Sequence, residues 1–311
     1  MRVLVTCPPM LGLISEFRPL FEEKGIELIT PNVVQTLSED VLEQLVPTVD
    51  GWIIGDDPAT ERVFRAGCAG RLKAAVKWGV GVDNVDFEAA RTLGIQVAHT
   101  PRMFGAEVAD IAIHYLIGLA RHTFWIDRAV RKGQWPKPAG ISLQGKHVAL
   151  IGFGDIGRHT ARRAVAHEMT LTVYDPYVCS TAQALSQYHF AQWPQQLEQA
   201  DFVVVTCALT PQTHHMLDHS AFAKMKDGVR IVNVSRGPII SESALVDALS
   251  SGKVHSAALD VYEHEPLPAD SPLRQCSRCI FGTHNASNTV DAVRRATQRA
   301  VALLFDLLGV A

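Results

Sequence analysis

The stretch 147-HVALIGFGDIGR-158 constrains this chain more than any other. An apolar run from His147 to Ile151 reads as a buried strand, and Gly152-x-Gly154-x-x-Gly157 follows it at once. Glycines at this spacing suit a chain that must turn sharply out of a strand and start a helix against its own backbone. The helix is expected over 158–167. A second strand, 171–174, then ends in Asp175. Gly152 permits the tight turn, Gly154 lets backbone approach a pyrophosphate, and Gly157 lets helix and strand pack closely. Unpaired amides and the positive end of the helix dipole would face the phosphates. Asp175 stands where an acidic group accepts from a ribose 2′-hydroxyl. It would repel a 2′-phosphate, and no arginine stands within 176–180 to receive one, so NAD is favoured over NADP.

The remaining sequence extends this pattern in both directions. Strand-like runs at 3–6, 26–30, 52–55, 74–78 and 96–98 alternate with helical patterns at 13–24, 38–45 and 87–93. Short apolar strands alternating with helices indicate a buried parallel sheet. Val108, Ile111, Ala112, Tyr115, Leu116 and Leu119 then recur at helical spacing. The segment 133–145, rich in proline and glycine, reads as an extended arm. After the glycine loop come strands at 202–206, 231–234, 256–261 and 279–281, and a closing helix over 289–308. The fold class is therefore α/β, with two doubly wound, Rossmann-type parallel-sheet domains. A chain of 311 residues has room for both.

Composition removes several function classes. A net charge of −3 offers no basic surface for nucleic acid or an anionic membrane. No apolar run approaches the roughly 20 residues that span a bilayer. The opening MRVLVTCPPM reads as a first strand ended by Pro8 and Pro9 rather than as a signal peptide, so a cytoplasmic protein is expected. Six scattered cysteines suit reduced thiols. Cys276-Ser-Arg-Cys279 has no second pair for zinc and runs toward a strand, so it reads as chance spacing. No metal site is implied.

Ordered blocks bring in a resemblance. The blocks 78-WGVGVDNVD-86, 94-GIQVAHTP-101, the glycine loop, 201-DFVVVTCALTPQT-213, 232-VNVSRG-237, 259-LDVYEHEP-266 and His284 together resemble the D-2-hydroxyacid dehydrogenase family, which includes phosphoglycerate dehydrogenases. The resemblance implies a discontinuous substrate domain, 1–99 with 287–311, around a central NAD-binding domain, 100–286. It implies a small 2-hydroxy or 2-keto acid as substrate, NAD as cofactor and a homodimer as the assembly.

The resemblance also assigns roles. Arg236 would hold the substrate carboxylate and carbonyl through its planar fork. His284 would donate a proton to a ketone or accept one from an alcohol, its unperturbed pKa lying near ~6.5. Glu265, directly before Pro266, would hold the second imidazole nitrogen and favour the protonated ring. Glu263 and His264 are read as solvated bystanders. Asp155 and Ile156 in the glycine loop, Cys207 and Thr213 beyond the next strand, and Asp260 would also contact the cofactor, Asp260 at the nicotinamide carboxamide. Backbone amides of Gly79, Val80 and Gly81 would cradle the substrate carboxylate.

Some positions depart from the family pattern. Thr283, Ala208 and His99 replace a usual Pro, Pro and Asn. Phosphoglycerate enzymes often place an arginine after the third strand, where this chain reads 55-GDDPAT-60. Two aspartates there would repel a phosphodianion, although Arg102 could compensate. Glyoxylate, hydroxypyruvate and phosphohydroxypyruvate all stay open. The same fold also serves NAD(H)-sensing corepressors, which can keep the Arg-Glu-His set. Formate dehydrogenases pair the histidine with glutamine, so Glu265 disfavours that branch.

Overall fold

The computed structural model describes residues 1–178 and 187–310. Cys179 and Ser180, within the arginine-free stretch noted above, lie outside the described residues. The chain divides into two compact units, Met1–Met103 with Asn288–Ala311, and Phe104–Ser287.

In the first unit, five parallel strands carry short, nearly continuous apolar runs. They are β1 (Arg2–Val5), β2 (Glu27–Ile29), β3 (Gly51–Ile54), β4 (Ala74–Lys77) and β5 (Gln96–His99), in the order β2-β1-β3-β4-β5. Val3, Leu4, Val5, Ile53, Ile54 and Val76 are fully buried, as strands covered on both faces require. Helices α1 (Pro8–Gly12), α2 (Ile14–Glu22), α3 (Glu39–Leu45), α4 (Glu61–Ala69) and α5 (Phe87–Thr92) make the connections. Side chains define two of their starts: Asp86 accepts from Ala89 N–H at 2.9 Å, and Thr60 accepts from Val63 N–H at 3.5 Å. Trp52 fills the core edge-on to Phe64, and its indole N–H donates to Thr6 Oγ1 at 2.9 Å. The last helix of the chain, Val290–Leu308, packs Ala292, Ala296, Ala300 and Leu304 inward. Thr297 on that helix accepts from the Trp78 indole at 3.0 Å.

The second unit opens with α6 (Gly105–Arg121) and α7 (Thr123–Arg131). Its sheet, among the described residues, runs β12-β11-β10-β9-β6-β7-β8, every pairing parallel. The strands are β6 (His147–Ile151), β7 (Thr170–Tyr174), β8 (His189–Phe190), β9 (Phe202–Val205), β10 (Val229–Asn233), β11 (Val254–Leu259) and β12 (Ile280–Phe281). Helices α8 (Asp155–Ala166), α9 (His219–Lys224) and α10 (Glu242–Ser251) lie between them. The chain runs from β6 outward through β7 to β8, then returns to the other side of β6 with β9. This reversal opens a crevice beyond the carboxyl ends of β6 and β9, where doubly wound sheets bind ligands.

Some boundaries move from their expected places. Helix α8 starts at Asp155, three residues before 158, because the turn is complete by Gly154, its N-cap. Strand β11 ends at Leu259 rather than 261, since Asp260 leaves the sheet to bond the loop at 284–286. Neither α7 nor the two-residue β8 had a counterpart in the sequence reading. The first is short and strongly amphipathic, and the second pairs by only two residues.

Candidate active site

The crevice of the second unit is shaped by what cannot fit there. A Cβ on Gly152 would stand 2.5 Å from the Cys207 nitrogen, and its φ of +93° is one that L side chains rarely adopt. A Cβ on Gly157 would stand 2.2 Å from the Gly152 carbonyl oxygen. Gly154 differs, since a Cβ there would meet nothing within 4 Å. Its open side is where a phosphate could approach the first amides of the twelve-residue α8. The glycine loop, helix end and Asp175 thus fit a dinucleotide.

The cofactor residues expected from sequence fall around this loop. Asp175 ends β7 half-buried, accepting from Phe153 N–H at 2.7 Å and Tyr177 N–H at 2.9 Å. It therefore braces the loop as well as offering a carboxylate at the ribose position. Asp155 and Ile156 begin α8, but the Asp155 carboxylate lies 2.5 Å from where a Cβ on Gly105 would stand. That places its charge at the N-terminal end of α6, a favourable site for an anion. Thr206 Oγ1 donates toward Ile151 O and Gly152 O at 3.1 and 2.9 Å, tying β9 to the glycine turn. Burial pushes the Cys207 thiol up to about 12, so it is a neutral group there. Thr213 closes its loop by donating to Ala208 O and accepting from Thr210 N–H, both at 2.8 Å.

Three consecutive strand ends then present the residues expected to react. After β10, the buried Asn233 side chain accepts from Ser235 N–H at 3.0 Å and donates to Arg236 O at 2.9 Å. This shapes the turn that presents the half-buried Arg236. Its neighbour Gly237 lies against the next loop: a Cβ there would stand 1.8 Å from the Tyr262 carbonyl carbon. After β11, Glu265 accepts from Tyr262 N–H at 3.0 Å through Oε1. Its Oε2 meets His284 Nδ1 at 2.8 Å. After β12, His284 adopts a φ of +54° and donates its own N–H to Asp260 O at 2.6 Å. That left-handed backbone is uncommon outside glycine and is held here by the bonds on both sides.

The Glu265 carboxylate fixes which imidazole nitrogen carries the standing proton. Nδ1–H faces the carboxylate, so Nε2 is the nitrogen able to exchange a proton with a substrate. Asp260 is 3% exposed and accepts from Ala286 N–H at 2.9 Å and, more weakly, from Tyr115 OH at 3.4 Å. Burial pushes its pKa up. Asp260 thus builds the histidine loop, in addition to the cofactor contact expected of it.

Glu263 corrects an expectation. It is no solvated bystander: its Oε1 accepts from Glu242 N–H at 2.9 Å and meets His215 Nε2 at 3.0 Å. Its own N–H donates to Glu242 Oε1 at 2.8 Å. His215 N–H in turn donates to Pro238 O at 2.8 Å. The loops carrying Thr213, Arg236 and Glu265 are therefore cross-braced. The only sequence signal for this was the density of polar residues beside Glu265. His264 remains exposed, as expected.

The first unit holds the other expected residues. Gly79 has a φ of +132°, and its N–H donates to Thr100 Oγ1 at 2.8 Å. That amide is already engaged, so the expected three-amide cradle narrows to Val80 and Gly81. The two aspartates after β3 part company. Asp57 is fully buried and accepts from the Thr6 hydroxyl, Leu37 N–H at 2.8 Å and Gly55 N–H at 3.2 Å. Asp56 pairs with Lys77. The expectation that both aspartates would repel a phosphodianion is thus corrected for Asp57, whose carboxylate is enclosed by protein donors. Arg102 is exposed on a left-handed turn.

Among the described residues, no group of three or more His, Cys, Asp or Glu is arranged to hold a metal ion. Cys276 and Cys279 are free thiols, and burial pushes Cys279 well above its usual range. No helix among the described residues is long and apolar enough to cross a membrane.

Comparison with known proteins adds an independent line. Residues 113–286 match the family model described as D-isomer specific 2-hydroxyacid dehydrogenase, NAD binding domain. A hydroxypyruvate reductase of Thermotoga maritima is 35% identical over 280 residues, covering 88% of this chain and 90% of that protein. D-3-phosphoglycerate dehydrogenase 2, chloroplastic, of Arabidopsis thaliana is 38% identical over 259 residues, 82% of this chain but 41% of that protein. This chain thus spans less than half the length of that relative. The crystal structure of the TT0316 protein from Thermus thermophilus superposes with a TM-score of 0.87 at 30% identity, covering 99% of this chain and 97% of that one.

Proposed function

The chain belongs to the D-isomer specific 2-hydroxyacid dehydrogenase family and carries that family's NAD-binding domain; from that premise we propose that it interconverts a small 2-keto acid and its D-2-hydroxy acid. Glyoxylate, hydroxypyruvate and phosphohydroxypyruvate form the candidate class. The observation that carries this reading is the Glu265–His284 contact of 2.8 Å, on loops braced against the one that presents Arg236.

Bound NAD(H) supplies the hydride donor or acceptor. Gly152, Gly154, Gly157 and the first turn of α8 would hold its pyrophosphate and Asp175 its adenosine ribose. The protein's own groups do the rest. Arg236 binds the substrate carboxylate and draws electron density from the carbonyl oxygen. In reduction, His284 Nε2 gives its proton to that oxygen as it becomes a hydroxyl. Glu265 stabilises the imidazolium beforehand and keeps the ring oriented afterwards.

We test this by following NADH oxidation at fixed enzyme against phosphorylated and unphosphorylated 2-keto acids, for the wild type and His284→Ala. The variant is expected to bind NADH and to lose reduction by roughly 10²–10⁴-fold, the usual worth of a positioned acid. Full activity in the variant would refute the assignment of His284. Tight NADH binding with no turnover of any 2-keto acid by the wild type would favour the sensor reading instead. The assembly proposed is a homodimer, supported by exposed Trp125, Val130 and Trp135 on α7 and the arm after it. Light scattering that gave a monomer at all concentrations would overturn it.

A further inference from the structure

The amino ends of the second unit's strands, opposite the crevice described above, hold a separate cleft. Its walls are the turn between α6 and α7, the start of β11 and the loop before β12, and its volume is about 300 Å³. That is the lower end of the range for small-molecule pockets. Leu119 and Ile280 give it a buried apolar lining. His122, Arg128, His255 and Arg278 stand around it, and no carboxylate lines it among the described residues.

A local irregularity brings His255 there. Strand β11 pairs with β10 through Val254 to Val229 and then through Ser256 to Arg230, so His255 is the extra residue of a bulge. A bulge re-aims a side chain that regular alternation would place otherwise. His255 Nδ1 meets Ser256 Oγ at 3.0 Å, and its Nε2 has no partner among the described residues. Burial, and after it Arg230, Arg278 and His122, push the imidazole pKa down. Each of those neighbours is a guanidinium or an imidazole. Arg230 is 9% exposed, and its buried Nε has no hydrogen-bond partner. Asp201, the acid that acts on Arg230, is bonded to Lys226 Nζ at 2.7 Å. The two exposed arginines are tethered by carbonyls rather than acids: Arg128 donates to Ser277 O at 3.4 Å and Arg278 to Leu249 O at 2.8 Å. Asp127, beside Arg128 in the chain, is bonded to Arg131 at 2.8 Å.

We propose that this cleft binds a small dianionic oxyanion, either free phosphate or the phosphoryl group of a small metabolite, through Arg128, Arg278 and His255 Nε2. Guanidinium forks match the oxygens of such an ion. With Nδ1 accepting from the Ser256 hydroxyl, the neutral His255 ring carries its proton on Nε2 and can donate it to the same ion. Carbonyl tethers hold the guanidiniums without neutralising them. Gathering cations beside an apolar lining is unfavourable, and a bound dianion removes that repulsion. The site is distinct from the glycine loop, which lies at the carboxyl ends of the same sheet, and it stands apart from the reaction proposed above. A ligand here would bridge α7 to the loop before β12, so it should stabilise the folded protein.

The test is calorimetric titration of inorganic phosphate into the protein at fixed ionic strength, with NADH occupying the glycine loop. Glycerol phosphate is titrated in parallel. One saturable site per chain is expected, with a rise in Tm. Arg128→Gln and Arg278→Gln should each weaken binding by about 10-fold or more, the worth of one charge-assisted bond, and the double variant should abolish it. Arg131→Gln, on the same helix but bonded to Asp127, should leave the affinity unchanged, which separates a site from general surface charge. Tighter binding of glycerol phosphate identifies a phosphorylated metabolite as the ligand, and tighter binding of inorganic phosphate identifies the free ion; either result supports the site. No saturable binding up to ~10 mM of either compound, or undiminished binding in the double variant, overturns it. Arg128 and Arg278 are both exposed, so the substitutions spare the core. NADH affinity and light scattering report whether each variant keeps its fold and assembly.

Discussion

Replacing Gly237 with alanine probes the brace between the arginine and glutamate loops. The added Cβ would stand 1.8 Å from the Tyr262 carbonyl carbon, 1.9 Å from its oxygen and 2.5 Å from Glu263 nitrogen. Ordinary contact begins near 3.4 Å. The obstacle is backbone, so no rotamer change relieves it, and one loop must retreat by about 1.5 Å in a close-packed interior. Overpacking of this kind costs about 1–3 kcal/mol of stability. The functional effect should lie at the upper end of that range. A retreat separates Arg236 from Glu265 and His284, and a displacement of ~1 Å at a reacting group can cost ~10²-fold. Cofactor binding should be little affected, because the glycine turn and Asp175 belong to β6 and β7. The assay pairs NADH fluorescence titration with steady-state reduction of a 2-keto acid and a urea unfolding curve. The expected result is near-normal NADH affinity, turnover down by roughly 10²-fold, and a folded protein. Turnover within a factor of about two of wild type, in a folded variant, would show that the contact of these loops does not position the reacting groups.

Two further outcomes follow from the same structure. Asp175→Asn can still accept from Phe153 N–H but loses the charge that repels a 2′-phosphate, so the preference for NAD over NADP should narrow by about 10-fold; an unchanged preference in parallel cofactor titrations would remove Asp175 from the ribose site. His255 is pushed down to about 4 by burial first, then by Arg230, Arg278 and His122. Its folded value lies below the ordinary ~6.5, so the unfolded chain binds the extra proton between these values. Stability is complete above ~6.5 and is lost as pH falls toward 4. With a discount for partial exposure, the loss is about 1–2 kcal/mol. His255→Gln should flatten the dependence of the urea midpoint on pH by that amount, and superimposable curves for the two proteins would count against it.

How much of this was legible in sequence depended on whether the cause was local. The β6–turn–α8–β7–Asp175 unit was readable because each requirement falls within one short stretch: apolar strands, glycines where backbone must turn or touch, and an acid at the next strand end. The two-unit α/β architecture followed from the same alternation repeated along the chain. Arg236, Glu265 and His284 were found through ordered motifs, since nothing local distinguishes them from other polar residues in loops. Tertiary structure decided what depends on neighbours distant in the chain. It separated Asp56 from Asp57, adjacent residues of identical chemistry, because one side chain turns into a shell of Thr6, Leu37 and Gly55 while the other meets Lys77. It took the Gly79 amide for Thr100, and made Glu263 a brace through Glu242 and His215. Sequence periodicity records which face of an element is buried. Partners for a polar group in a loop are set by where other strands end, and that is decided only when the sheet assembles.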